Sequence, residues 1–268
     1  PPVAALPADG WDAIVIGAGP AGALAARTLA RRGRRILLLD RHRFPRDKRC
    51  GDALIPDAQA CLAREGLLHR VRALAWAAPG GAVHGPSGTR VELACEILTL
   101  PRRVLDAELA LAAVEAGARL ALGTVTGLDD GGLAGGATVH VADAPRPIRA
   151  PLAIVATGAH VGLLDRVGLL ARPRASAVAI RRYVAAPPHE ALLLVSFARA
   201  LLPGYAWLFP VGEARGQRIY NVGAGIVLAG AEDGAARTLR ALLARFLAAV
   251  PGVRAPWSSA ARSAGPAS

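Results

Sequence analysis

The three glycines of Gly17-Ala-Gly-Pro-Ala-Gly22 can do what side chains cannot: bring bare backbone N–H groups up to an anion. A short apolar run, residues 12–16, precedes them. Residues 23–32 follow as strong helix formers closed by Gly33, and residues 35–39 form a second apolar run ending on Asp40. In the order strand, glycine turn, helix, strand, acid, each residue has a task. Gly17 allows the tight turn, Gly19 lets a pyrophosphate approach, Gly22 lets the helix pack on the strand, and Asp40 accepts hydrogen bonds from ribose hydroxyls. The pattern predicts dinucleotide binding without separating FAD from NAD.

Two further groups carry chemical potential. Arg43-Phe-Pro-Arg-Asp-Lys-Arg-Cys-Gly-Asp52 continues from the acid, and Lys48 is its only lysine in a chain with 32 Lys+Arg. A lysine kept where arginine is otherwise used points to a need for a compact ammonium. Cys50 lies two residues from Lys48 and next to Arg49, neighbours that favour a thiolate. Such a thiol suits proton transfer or positioning, and the plain alternative is a small buried side chain. Far along the chain, Tyr205, Trp207 and Phe209 stand at alternate positions of Pro203-Gly-Tyr-Ala-Trp-Leu-Phe-Pro210. A strand would send all three rings to one face. With only 4 Phe, 4 Trp and 3 Tyr in the chain, this concentration suits an apolar cavity, although rings on strands also simply pack.

On the glycine fingerprint, the Pro-x-x-Lys-x-Cys-Gly-Asp stretch and the Tyr-x-Trp-x-Phe-Pro segment, the sequence resembles the geranylgeranyl reductase group of FAD-dependent oxidoreductases. That group belongs to the p-hydroxybenzoate hydroxylase-like flavoproteins, and the resemblance spans roughly residues 11–250. Arg102-Arg-Val-Leu-Asp106-Ala-Glu-Leu109 matches the family's Arg-x-x-aromatic-Asp-x-x-Leu pattern, with Leu105 in the aromatic place. Leu152-Ala-Ile-Val-Ala-Thr-Gly158 matches its Ala-Thr-Gly element.

The resemblance implies FAD held by Gly17, Gly19, Gly22, Asp40, Lys48, Cys50, Gly51, Asp52, Arg102, Val125 and Gly158, with Cys50 also near the reacting carbons. It implies a lipophilic substrate along Tyr205, Trp207, Phe209, Pro210, Gly223 and Gly225, and NAD(P)H as electron donor. The spacing from Pro210 to Gly223 is longer than the family's, which leaves substrate length open. The implied activity is reduction of C=C bonds in an isoprenoid or other lipophilic chain. Two alternatives stand beside it: an FAD-dependent aromatic or polyketide monooxygenase or halogenase, and an inactive, truncated nucleotide-binding fragment. The last arises because the family's closing Gly-Asp-Ala-Ala-Gly-like segment has no counterpart here, so a C-terminally truncated chain is expected.

These residues require an α/β fold: a Rossmann-like FAD-binding domain and a discontinuous antiparallel β-sheet substrate domain. Residues 11–75 and 101–170 are assigned to the first and residues 76–100 and 171–250 to the second. Residues 1–10 and 251–268 read as disordered. A net charge of +12 is a poor pointer to nucleic acid, because arginine has replaced lysine almost throughout and no basic run interleaves with aromatics, so no nucleic-acid partner is expected. Cys50, Cys61 and Cys95 lack CxxC spacing, so neither a metal site nor a disulfide scaffold is expected. Residues 1–10 do not read as a secretory signal, and the charge-free stretches are broken by Pro and Gly before reaching membrane-spanning length, so no membrane-spanning segment is expected within this sequence. A cytoplasmic protein follows, with peripheral contact to the inner membrane left open.

Overall fold

The computed structural model describes residues 3, 6–142, 144–170, 176–188, 190–228 and 235–249. The chain begins with β1 (Ala13–Ile16), α1 (Pro20–Ala30), β2 (Ile36–Asp40), β3 (Ala53–Leu54), α2 (Pro56–Arg64) and α3 (Leu68–Leu74). Next come β4 (Trp76–Ala78), β5 (Gly81–His84), β6 (Arg90–Leu93), β7 (Ile97–Thr99), α4 (Arg102–Glu115), β8 (Arg119–Leu122) and β9 (Val125–Asp130). After α5 (Gly132–Gly135) follow β10 (Ala137–Val141), β11 (Ile148–Ala150), β12 (Leu152–Val155) and α6 (Gly162–Arg166). The remainder is β13 (Ala177–Ala186), β14 (Leu193–Ser196), β15 (Gly204–Ala214), β16 (Gln217–Val227) and α7 (Ala235–Ala249).

These elements form two compact units, Pro1–Lys48 with Arg102–Arg174 and Arg49–Pro101 with Ala175–Ser268. The α/β expectation holds. In the first unit, β12, β1, β2 and β8 make a parallel sheet in that order. The whole of β1 and β2 is buried, as central parallel strands require. One sheet face meets α1 through Ala23, Ala26 and Ala30, residues small enough for close approach. Gly22 sits where an added Cβ would lie 1.8 Å from the Gly17 carbonyl oxygen. β9, β10 and β11 form a separate antiparallel sheet, while β8 and β12, which flank them in sequence, join the parallel one. β12 is an edge strand whose Leu152 is exposed and whose other residues are half-buried.

Disorder over residues 1–10 is corrected for the described part. Val3 and Ala8 are buried, and Ala8 O accepts from the Arg149 N–H. Val3 packs with Val139, Val141 and Ile148, so its burial depends on strands far away in sequence. The expected tail, residues 251–268, lies outside the described residues.

In the second unit, a six-stranded sheet has the order β13-β16-β15-β14-β5-β6, and a smaller one the order β3-β7-β4. The expected boundary near residue 75 differs from the observed division after Lys48. Residues 49–75 go with the second unit because β3 pairs with β7, and Gln59 donates to the Leu54 and Glu96 carbonyls. α7 covers one face of the large sheet, burying Leu239, Leu242, Leu243, Phe246 and Leu247 with Ala206, Leu208, Val222 and Ala224. The neighbouring positions of the same strands therefore point to the opposite face, which is the one of interest below. Among the described residues no helix is long and apolar enough to cross a membrane.

Candidate functional site

The first unit assembles an anion cradle at the C-terminal edge of its parallel sheet. β1 delivers Gly17, β2 delivers Asp40, and β12 delivers Thr157 and Gly158, all at one edge because the strands are parallel. Gly17 has φ +103°, and a Cβ there would meet Ala156 O at 2.5 Å, so only glycine fits. Gly19 caps α1 without a side-chain hydrogen bond, and Pro20 follows at the first helical position. The helix N-terminus thus keeps free N–H groups and its positive end for a ligand.

An added Cβ on Gly19 would meet only Arg46 Nη2 at 3.8 Å and Lys48 Nζ at 3.9 Å, and one on Gly158 would lie 3.0 Å from the same Nζ. Lys48 therefore links the first and third glycine-bearing turns of the sheet edge, as a compact ammonium can. Room, orphan donors and two cations fit a pyrophosphate, so the residues present match the requirements of FAD or another dinucleotide.

Asp40 is more committed than the sequence predicts. It is buried, Oδ2 accepts from Ala18 N at 3.0 Å and Oδ1 from His42 N at 2.9 Å, and Arg46 Nη2 lies 3.4 Å from Oδ2. Of a carboxylate's roughly four acceptor positions, these use most and leave one for a ribose hydroxyl. Its first task is to hold the glycine turn. Arg102, expected to meet the cofactor, forms a two-pronged pair with the fully buried Asp106, 2.5 Å from Nε to Oδ1 and 3.1 Å from Nη2 to Oδ2. Arg46 Nη1 lies 3.0 Å from the same Asp106 Oδ2. Val125 opens β9, pairs with Val141, and is brought to the end of β2 by the bond from Gly123 N to Asp40 O. His160 follows the Gly158 turn in contact with Arg41. Burial, then Arg41, His42 and Lys48, hold its imidazole below the usual 6.5.

The second unit holds Cys50, Gly51, Asp52 and the aromatic face, so the sequence-contiguous Lys48-to-Asp52 motif is shared between the units. Tyr205, Trp207 and Phe209 do share one face: successive ring centroids are 5.9 and 6.4 Å apart, and Phe197 extends the row, 5.7 Å from Tyr205. Across β16 the register sets Gly225 opposite Tyr205, Gly223 opposite Trp207 and Asn221 opposite Phe209. Both glycines are needed by the rings. A Cβ would lie 2.6 Å from the Tyr205 ring at Gly225 and 2.1 Å from the Trp207 ring at Gly223. Gly223 and Gly225 thus act by making a floor over which the rings lie flat.

Gly51 faces the inner end of this row, its Cβ position 3.0 Å from Phe209 Cε2 and 3.8 Å from Trp207 Nε1. Pro210 is buried, and its carbonyl accepts from Thr99 Oγ1 at 2.6 Å. Cys50 is half-buried and its carbonyl accepts from Asn221 Nδ2 at 2.8 Å. Arg46, Asp106, His160, Tyr183, Asn221 and Phe197 were not among the expected site residues. Arg46 and Asp106 stand inside the quoted motifs, and Asn221 is the chain's sole asparagine, which was a usable signal; Phe197 had none.

Comparison with known proteins agrees with this geometry. Residues 11–183 match the family model described as FAD binding domain. The chain is 34% identical over 252 residues to menaquinone reductase of Mycolicibacterium smegmatis, covering 88% of this chain and 59% of that protein. It is 31% identical over 223 residues to digeranylgeranylglycerophospholipid reductase 1 of Methanopyrus kandleri, covering 81% of this chain and 58% of that one. A solved geranylgeranyl bacteriochlorophyll reductase-like protein from Thermoplasma acidophilum superposes with TM-score 0.77 at 24% identity, over 91% of this chain and 62% of that one. A myxobacterial chondrochloren halogenase superposes with TM-score 0.73 at 22% identity, over 91% and 58%. At these structural identities the likeness is one of fold. The chain spans 55 to 59% of the length of four curated reductases that it matches.

Proposed function

We propose, on the premise that this chain belongs to the FAD binding domain family, that it serves an FAD-dependent oxidoreductase of the geranylgeranyl reductase type. The reaction is reduction of C=C bonds in an isoprenoid or other lipophilic substrate, with electrons from NAD(P)H. The observation that carries this reading is the aromatic row of Phe197, Tyr205, Trp207 and Phe209, laid on glycines and ending at the Cys50–Gly51 backbone. The relatives named menaquinone reductase and digeranylgeranylglycerophospholipid reductase support the substrate class, since both names denote reduction of lipids.

Saturating a C=C bond takes one hydride and one proton, and FAD when bound supplies the two-electron chemistry. The chain's own residues bind and orient. Gly17 shapes the turn, its own N–H bonded to Leu39 O, while Gly19 and the α1 N-terminus offer N–H donors to the pyrophosphate and Lys48 brings positive charge beside them. The ring row holds an apolar chain and excludes water from it. Cys50, at the inner end of the row, is the candidate source of the proton. A substrate of this kind resides in lipid, so the reading carries a cytoplasmic protein in peripheral contact with a membrane.

The test is reconstitution with FAD, followed by anaerobic incubation with NADPH or NADH and either a menaquinone or a digeranylgeranylglycerophospholipid. The expected product is heavier by two hydrogens per reduced bond. In a parallel aerobic incubation with halide present, oxygen consumed in step with NADPH, and a hydroxylated or halogenated product, would replace this reading by the monooxygenase or halogenase one.

A further inference from the structure

Asp52 has φ +68°, a left-handed conformation that glycine adopts freely and that other residues adopt at a cost of roughly 1–2 kcal/mol. It is 1% exposed, its Oδ2 accepts from Tyr183 Oη at 2.5 Å and from Asn221 Nδ2 at 2.7 Å, and its backbone oxygen accepts from Leu100 N at 3.0 Å. Asn221 is 0% exposed and reaches three ways. Its Nδ2 donates to the Cys50 carbonyl at 2.8 Å as well as to Asp52, and its Oδ1 accepts from Trp207 Nε1 at 3.0 Å. The sheet register places it for this. Tyr183 and Phe209 are its partners on the two neighbouring strands, so loop, amide, phenol and ring row meet at one level of the sheet.

We propose that Asn221 is a positioning residue of the site: its buried amide clips the Cys50–Gly51 backbone to the indole of Trp207, with Asp52 and Tyr183 bracing the clip. The far flank of the loop is already fixed by the pairing of β3 with β7. The flank that carries Cys50 has this amide as its tie to the ring row. Leucine has similar bulk and neither donor nor acceptor, so Asn221→Leu would strand the Cys50 carbonyl and the Trp207 indole N–H and leave Asp52 with one donor fewer beside Tyr183, each stranded group costing about 1–3 kcal/mol when left unpaired. Release of the loop relieves the first of these and moves Cys50 off its station. The proposal rests on reading the ring row as the substrate face, and its primary test is independent of that reading.

The test is peptide-resolved alkylation by iodoacetamide of the chain as it stands, with Cys61 and Cys95, both half-buried free thiols, as internal references. In Asn221→Leu the Cys50 rate relative to the two references should rise about tenfold, equivalent to about 1.4 kcal/mol. In Tyr183→Phe, which keeps the ring and loses one bond to Asp52, it should rise about twofold, and in Arg72→Gln, a surface control, not at all. A simultaneous rise at all three cysteines would show general loosening and overturn the proposal, as would an unchanged ratio in Tyr183→Phe or in a folded Asn221→Leu. Menaquinone binding, followed by quenching of tryptophan fluorescence, should weaken in Asn221→Leu in step with the cysteine ratio. A parent chain that binds no menaquinone removes the substrate reading and leaves the ratio to decide the clip.

Discussion

At the scale of single residues, the glycines of the first turn separate structural from ligand-facing roles. Gly22 lies in α1, where alanine would ordinarily gain about 1 kcal/mol of helix propensity. Here its Cβ would sit 1.8 Å from backbone, so Gly22→Ala should instead destabilise the chain by about 1–3 kcal/mol, read from urea midpoints. Gly19 has nothing nearer than 3.8 Å, so Gly19→Ala should leave stability within about 0.5 kcal/mol while weakening FAD binding several-fold in a titration. Equal loss of stability in both would remove the ligand role of Gly19. His160 gives a second residue-level prediction. Burial and the cations Arg41, His42 and Lys48 favour its neutral form in the folded chain. As pH falls below the unfolded value of 6.5, the unfolded state takes up the proton first, so folding loses stability from there down to the lowered folded value and none above it. An anion in the cradle opposes those cations. ADP should therefore raise the His160 pKa in an NMR titration and bind more tightly as pH falls through that window, and His160→Gln should abolish this gain.

At the scale of elements, ring and glycine on β15 and β16 form a coupled pair. Gly223→Ala would drive the Trp207 indole from its place and strain its bond to Asn221; a Trp207→Phe background removes the ring clash, while the added Cβ still lies 2.4 Å from Ile180 O and keeps that part of the cost. A double-mutant cycle on unfolding free energies should return a coupling of about 1–2 kcal/mol, and additive costs would show that the ring already sits elsewhere. This pair also marks what the sequence could reveal. Tyr205, Trp207 and Phe209 were legible because a strand's period of two is local, and β1, α1 and β2 because glycine, proline and apolar runs punctuate them. The reason Gly223 is glycine was not legible, since it depends on which strand lies alongside and in what register. Val3, buried by residues 139–148, and Arg46, one arginine among many until Asp40 and Asp106 are seen beside it, were hidden for the same reason.

At the scale of the whole molecule, the division after Lys48 assigns the two ligand chemistries to different units: anion-binding turns to the first, the aromatic row and Cys50 to the second. The backbone passes between units after Lys48, after Pro101 and after Arg174, so neither unit is a continuous stretch of chain, and each is closed by pairing distant in sequence. β1 pairs with β12, and β5 pairs with β14. Such non-local closure costs loop entropy before it is rewarded, which makes local opening of the connecting turns the cheapest fluctuation in each unit. A ligand that binds one unit should then suppress opening in that unit first. Hydrogen exchange read by mass spectrometry should show ADP slowing amides 17–22 and 156–160 with little change at 50–52, whereas a menaquinone slows 50–52 and 197–203 with little change at 17–22. FAD, which carries the ADP half, should slow the first set as ADP does. Slowing of 50–52 by ADP alone would mean that the turns of the first unit and the Cys50 loop respond as one element, and would reassign Lys48 from a phosphate ligand to a lever acting on its neighbour in sequence.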